Sequence, residues 1–111
     1  MFTLVENPEF THNVTVSMPV DGGFTEHTFT ARFKLLPVED FEKSPVSMSF
    51  SSANAEFLRK AIVKLEGITD AEDKEIPYSH EMRDRVLNAP PAQMALMRTY
   101  LDAISRVKQG N

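Results

Sequence analysis

Two alternating apolar runs that meet at a glycine turn constrain this chain more than any other feature. Residues 13–20 read NVTVSMPV, with Val14, Val16, Met18 and Val20 on one parity. Residues 24–36 read FTEHTFTARFKLL, with Phe29, Ala31, Phe33 and Leu35 on the other. A period of two marks a half-buried strand, and Asp21-Gly22-Gly23 between the runs supplies residues that turn a hairpin. Parity then restricts the loop. The first strand buries even positions and the second odd ones, so facing residues must have numbers that sum to an odd value. That requires a loop of two or four residues, because a three-residue loop would turn one apolar set into water. The same alternation places His27 on the inward face near the turn, as a partly buried structural residue rather than a ligand. Pro19 lies off the apolar face and lacks an amide donor, which suits an edge or a strand end.

After the hairpin the period changes. Residues 51–67, SSANAEFLRKAIVKLEG, set Phe57, Leu58, Ala61, Ile62 and Leu65 on one helical stripe, with Ser51 or Ser52 as cap and Gly67 as left-handed stop. A shorter helix is expected from Ser79, which can cap the next turn, with Glu81 favourable near the dipole and Met82, Val86 and Leu87 pointing inward. Pro90 and Pro91 end it, and Pro91 suits the first turn of a last and longest helix over residues 91–108, PAQMALMRTYLDAISRVK. Residues 37–43, PVEDFEK, are expected to form one helical turn around Phe41. Hairpin first and helices after is an α+β arrangement: a hairpin over about 13–36, then three to four helices in 37–111, packed as a single domain over 1–111.

Bulk properties exclude several functions. At 111 residues the chain can bury roughly two-thirds of its unfolded surface, enough for one core. With 12 basic against 16 acidic residues it carries a net charge of −4, opposite to what phosphate backbones attract. The arginines of the two last helices are interleaved with Asp84 and Asp102, so no nucleic-acid surface is expected. There is no cysteine, hence no disulfide, thiolate metal site or cysteine nucleophile. The opening MFTLVENPEF lacks the basic end and apolar run of a signal peptide, and no run approaches the roughly 20 residues of a membrane span. The expectation is a soluble cytoplasmic protein with no membrane partner.

Residues 66–91, EGITDAEDKEIPYSHEMRDRVLNAPP, hold the densest acids and test the enzyme class directly. Counting Asp70 as the first position of a calcium loop puts Glu81 at the twelfth. The interior fails, with Lys74 at a ligand position and Glu75 where a glycine must turn the chain. Asp70, Glu72, Asp73 and Glu75 sit on one polar loop, which offers no asymmetry to push two carboxylate pKa values apart. His12, His27 and His80 have no metal-ligand spacing, and Ser79 is a cap rather than a nucleophile. No phosphate loop or nucleophile elbow occurs among only four glycines. No catalytic residue, metal or cofactor is expected.

One feature favours protein binding. On a helical projection of the last helix, Met94, Leu96, Met97, Tyr100, Leu101, Ile104 and Val107 fill an arc of roughly 160°, against the ~100° that covers a domain's own core. The excess packs a second surface of the same chain or meets another chain, and Met94 and Met97 suit the second use because thioethers adapt to varied partners. Met94, Leu96, Met97, Tyr100 and Leu101 are therefore the candidate partner-binding residues. The exposed hairpin edge offers a second joint, by strand addition. On that basis the chain could equally be a small adaptor or inhibitor module.

The layout resembles the small tail assembly chaperones of long-tailed phages and prophages. The similarity runs from FTLVENPEFTHNVTVSMP through the basic-aromatic strand FTARFKLLPVEDFEK, then GITDAEDKEIPYSHEMRDRVLNAP, and ends in the helix carrying ALMRTYLDAI. The resemblance implies a non-enzymatic protein of the bacterial host cytoplasm, absent from the mature virion. It implies binding to the tape-measure protein, keeping that long apolar chain soluble while tail-tube protein polymerises around it. It further implies self-association into rings or helical arrays. The acidic stretch would then be a hinge loop between helices.

Overall fold

Every facing pair in the hairpin has an odd sum. In the computed structural model, which describes residues 1–105, strand β1 (Glu9–Val20) pairs antiparallel with β2 (Gly23–Lys34), from Glu9 opposite Lys34 to Val20 opposite Gly23. The loop is thus two residues, Asp21-Gly22, with Gly22 at φ +78°, a conformation that costs glycine little. Strand β1 begins four residues earlier than the alternation suggested, because Phe10 also joins the apolar face and packs on Phe33 with ring centroids 5.7 Å apart. Val14, Val16, Phe29, Ala31 and Phe33 are buried, as the parity requires. Leu35 is not. The ladder stops at Lys34, the Leu35 amide turns back to the Pro8 carbonyl at 2.8 Å, and Leu36 enters the core in its place. His27 is exposed as well, contrary to its inward parity, like every residue from Ser17 to Thr28.

Helix α1 (Val38–Lys43) is the short turn around Phe41, and α2 (Ser52–Ala61) follows it. Ser51 caps α2, its hydroxyl accepting from the Asn54 amide at 3.0 Å. The expected continuation of this helix to Gly67 is corrected: residues Ile62–Glu66 form a third strand, β3, antiparallel to β2, giving the sheet order β1-β2-β3. Ile62 and Leu65 are both buried although three residues apart, which a regular strand forbids. A register shift between Arg32 and Phe33 leaves Val63 unpaired, so Leu65 faces Ala31 while Ile62 faces Phe33. Gly67 does take left-handed geometry (φ +83°), but as the end of a strand. A Cβ there would sit 3.8 Å from the Phe29 backbone, so space is adequate and the dihedral alone is costly. Gly67→Ala is expected to lower stability by about 1–2 kcal/mol in urea unfolding, with the slope unchanged.

The acidic stretch closes on itself. The Ile76 amide donates to the Ile68 carbonyl at 2.8 Å, and Asp70 Oδ1 accepts from the amides of Glu72 and Lys74 at 2.8 and 3.1 Å. It forms a small turn stapled by Asp70, with Asp73 in left-handed conformation. Helix α3 (His80–Leu87) starts at Ser79, whose hydroxyl accepts from the Met82 amide at 3.0 Å. Helix α4 (Pro90–Ser105) starts at the double proline. The expectation that it runs to Lys108 falls, beyond Ser105, outside the described residues. No helix among them is long and apolar enough to cross a membrane.

The helices cover one face of the sheet; the other carries Thr11, Asn13, Thr15, Thr28, Thr30 and Arg32 in polar cross-strand contacts, among them Arg32–Glu9 at 2.8 Å. Tyr100 stands at the centre of the core. Its ring lies 5.3 Å edge-to-face from both Phe33 and Phe57, and its hydroxyl accepts from the Leu36 amide at 2.9 Å and donates to the Lys34 carbonyl at 3.1 Å. One side chain thereby ties α4 to the end of β2 and to α2. Desolvation pushes the Tyr100 phenol above its ordinary range, against a smaller opposing effect of the Leu36 hydrogen bond. A raised folded value means stability that is intact below the unfolded pKa of about 10 and is lost as pH rises through the folded value. Alkaline titration should show Tyr100 ionising together with the loss of circular dichroism.

Candidate protein-binding surface

The five candidate residues on α4 divide into two groups. Leu96, Met97 and Tyr100 are fully buried, so on the folded chain they are core and present nothing to a partner. Met94 and Leu101, seven residues apart and on one stripe, are half-buried, and Ile104 beyond them is 37% exposed. The arc is broad because α4 packs on two sides at once. It meets β1, and it meets α2 and α3. The wide face is thus mostly spent inside the chain, and an apolar seam of Met94, Leu101 and Ile104 is what remains near its surface.

Larger uncovered apolar surface lies where the helices do not reach. Between Ser17 and Thr28 every residue is exposed, and the hairpin projects roughly 14 Å past Val16 at about 3.4 Å per residue. Pairing puts Met18 and Val20 on the face continuous with the core, and Pro19 with Phe24 on the other. Phe24 is 65% and Val20 49% exposed, so the tip is apolar on both faces. It carries Asp21 and Glu26 and no lysine or arginine. A signal for this was present in the sequence, since Phe24 has the parity opposite to Phe29 and Phe33. The opening segment adds Phe2, Leu4 and Val5, all exposed ahead of β1.

A groove of about 980 Å³ lies between the start of α2, α3 and the start of α4. Phe50, Ala55, Leu87 and Pro90 supply its apolar lining, and Arg59 and Arg85 line it as well. Its wall is rigid. Asp84 Oδ1 accepts from Arg83 Nε at 3.1 Å and from Arg59 Nε at 3.3 Å, and Arg83 also donates to the Arg59 carbonyl. The Arg83 hydrogen bond, seconded by Arg59, holds the Asp84 carboxyl below the usual carboxylate range. Gln93, 5% exposed, donates to the Leu87 carbonyl and accepts from the Ser51 amide at 2.7 Å, joining α4 to the base of α2. Arg85 is exposed and has no carboxylate partner among the described residues.

The outer edge of β1 is less open than the sequence suggested. Ala95, Arg98 and Asp102 of α4 border it from His12 to Ser17, across a cleft of about 390 Å³. Among the described residues no group of three histidine or acidic side chains is placed to hold a metal ion. His12, His27 and His80 are each exposed and lie on separate elements. No family model, no curated protein and no solved structure matches the chain.

Proposed function

We propose that this chain is a tail assembly chaperone of a long-tailed phage or prophage, a non-enzymatic protein of the host cytoplasm that leaves before the virion is complete. Its partner is the tape-measure protein, a long helical apolar chain that it keeps soluble while tail-tube protein polymerises around it. The observation that carries this reading is the large apolar surface left uncovered at the tip residues Met18, Val20 and Phe24, beside an α4 seam of half-buried Met94 and Leu101 and exposed Ile104. Monomeric soluble proteins rarely leave contiguous apolar patches beyond a few hundred Å² unless something binds them. Shallow apolar seams make weak single contacts, and many copies on one tape-measure chain convert these into useful avidity while leaving each copy free to depart.

In the adaptor reading a partner strand joins the hairpin edge; α4 borders much of β1, while β2 is unpaired on its far side from Gly23 to Phe29. Co-expression separates the two. A long amphipathic tape-measure chain should stay soluble and co-purify with several copies of this protein. Leu101→Asp, at a half-buried site, should reduce that capture at least tenfold with the far-ultraviolet spectrum unchanged. Unchanged capture by the variant would remove α4 from the binding surface.

A further inference from the structure

Asp21 stands where a side chain can react with its own main chain. It forms the two-residue loop with Gly22, and every residue from Ser17 to Thr28 is exposed. Among the described residues neither the Asp21 carboxylate nor the Gly22 amide has a hydrogen-bond partner, and Asp21 is in no ion pair. Gly22 has no Cβ to shield its nitrogen. Apart from its chain neighbours, no group lies within 4 Å of the point where a Cβ would stand, at Gly22 or at Gly23. The other aspartates are each followed by a residue with a side chain. Asp70 Oδ1 accepts from the amides of Glu72 and Lys74, which also commits the amide that Asp73 would have to use. Asp40, Asp84 and Asp102 lie within α1, α3 and α4, where helical dihedrals fix the backbone around them.

We propose that Asp21-Gly22 is a self-modification site, at which aspartate converts to isoaspartate through a succinimide. The Gly22 nitrogen bonds to Asp21 Cγ, the carboxyl hydroxyl leaves as water with the amide proton, and a five-membered imide closes. Water then adds to one of the two ring carbonyls. Addition at Cγ, with cleavage of its bond to nitrogen, restores aspartate. Addition at the main-chain carbonyl breaks the original peptide bond instead, and the chain then runs through Cβ and Cγ with a free α-carboxylate. No oxidant or reductant enters, and the product is an isomer of the starting chain. Its main chain is one carbon longer, in a loop whose length sets the strand register. A two-stranded ribbon without a core is marginal in water, so the ladder nearest the turn has little to resist the change. The added carbon releases Val20–Gly23, Pro19–Phe24 and Met18–Thr25, while the pair Val14–Phe29, anchored by burial, stays in place. The conversion disarranges the apolar tip as the protein ages, whatever partner the tip meets.

The test is incubation of the folded full-length protein in neutral buffer at physiological temperature. The tryptic peptide ending at Arg32 is then read by electron-transfer fragmentation, which separates isoaspartate from aspartate at equal mass. Isoaspartate should accumulate at Asp21 roughly tenfold or more faster than at Asp70 or Asp73, where a following side chain and a committed amide oppose closure. Asp21→Asn should convert faster still, because a neutral amide is a better electrophile than a carboxylate. Asp21→Glu should not convert measurably, since its ring would be six-membered. Hydrogen exchange of the converted chain should quicken over residues 18–25 and stay unchanged at Val14 and Phe29. An Asp21 that persists while a free peptide of residues 18–26 converts overturns the proposal. So does isoaspartate that appears equally at Asp70 or Asp73, or a converted chain whose exchange at the tip is unchanged.

Discussion

Tyr100→Ala is expected to leave the chain largely unfolded at physiological temperature. The substitution removes a buried ring in edge-to-face contact with Phe33 and Phe57, and a hydroxyl that satisfies the Leu36 amide and the Lys34 carbonyl. Truncating a buried aromatic costs about 3–5 kcal/mol, a large part of the 5–15 kcal/mol that holds an ordinary domain folded. Tyr100→Phe separates the two contributions. It keeps the ring and loses only the hydroxyl, leaving the buried Leu36 amide without its acceptor, for about 1–3 kcal/mol. Urea unfolding of the pair measures both. A Tyr100→Ala protein within 1 kcal/mol of the original, on the scale of an exposed site, would mean that α4 does not dock as described.

The second large effect comes from putting a charge at two positions four residues apart on α4. Met97 is fully buried in the hydrophobic core, so the desolvated carboxylate of Met97→Asp should cost upwards of 3 kcal/mol and yield insoluble or molten protein. Leu101 is half-buried beside the surface, and Leu101→Asp should leave a cooperative thermal transition while weakening partner capture. The contrast decides what α4 is for. If both variants unfold, the whole arc is core and the binding surface is the hairpin tip alone. If both fold, Met97 is not in the core as described.

These two residues also show how much was legible in the sequence. A helical projection counts apolar positions but not the number of neighbours a helix has. An arc of roughly 160° is what a binding helix shows, and equally what a helix wedged between β1 and the α2–α3 pair requires. Leu96, Met97 and Tyr100 were drawn as partner residues on that count, and packing put them inside. The hairpin and the parity of its loop were legible, because two strands of opposite parity admit few loops and Asp21-Gly22 satisfies the shortest, but its ends at Glu9 and Lys34 were not. β3 was hidden for a specific reason. Its bulge makes Ile62 and Leu65 both face inward, and a spacing of three is what a helix also produces. Burial at His27 and Leu35 failed for a different cause: parity tells which face a side chain is on, not whether anything covers that face.

The caps were local and therefore predictable. Ser79 accepts from the Met82 amide and Ser51 from the Asn54 amide, as short polar side chains before apolar helical turns do. Asn54 was not anticipated. It is fully buried, accepts from the Ser47 amide and donates to the carbonyls of Ser47 and Ser49, so it ties down the segment that carries Phe50 to the groove. The groove itself was invisible in the sequence, because its lining comes from residues between 50 and 93 that only folding assembles.

The central claim is that uncovered apolar surface on this small domain serves to hold a long helical apolar chain in solution. The most direct measurement is the mass and stoichiometry of the soluble material when this protein and a tape-measure chain are made together, by light scattering on the affinity-purified complex. The account predicts one tape-measure chain with several copies of this protein, falling to insoluble tape-measure chain and free small protein with Leu101→Asp. A tape-measure chain that precipitates equally with and without this protein, while the protein stays behind uncomplexed, would contradict it.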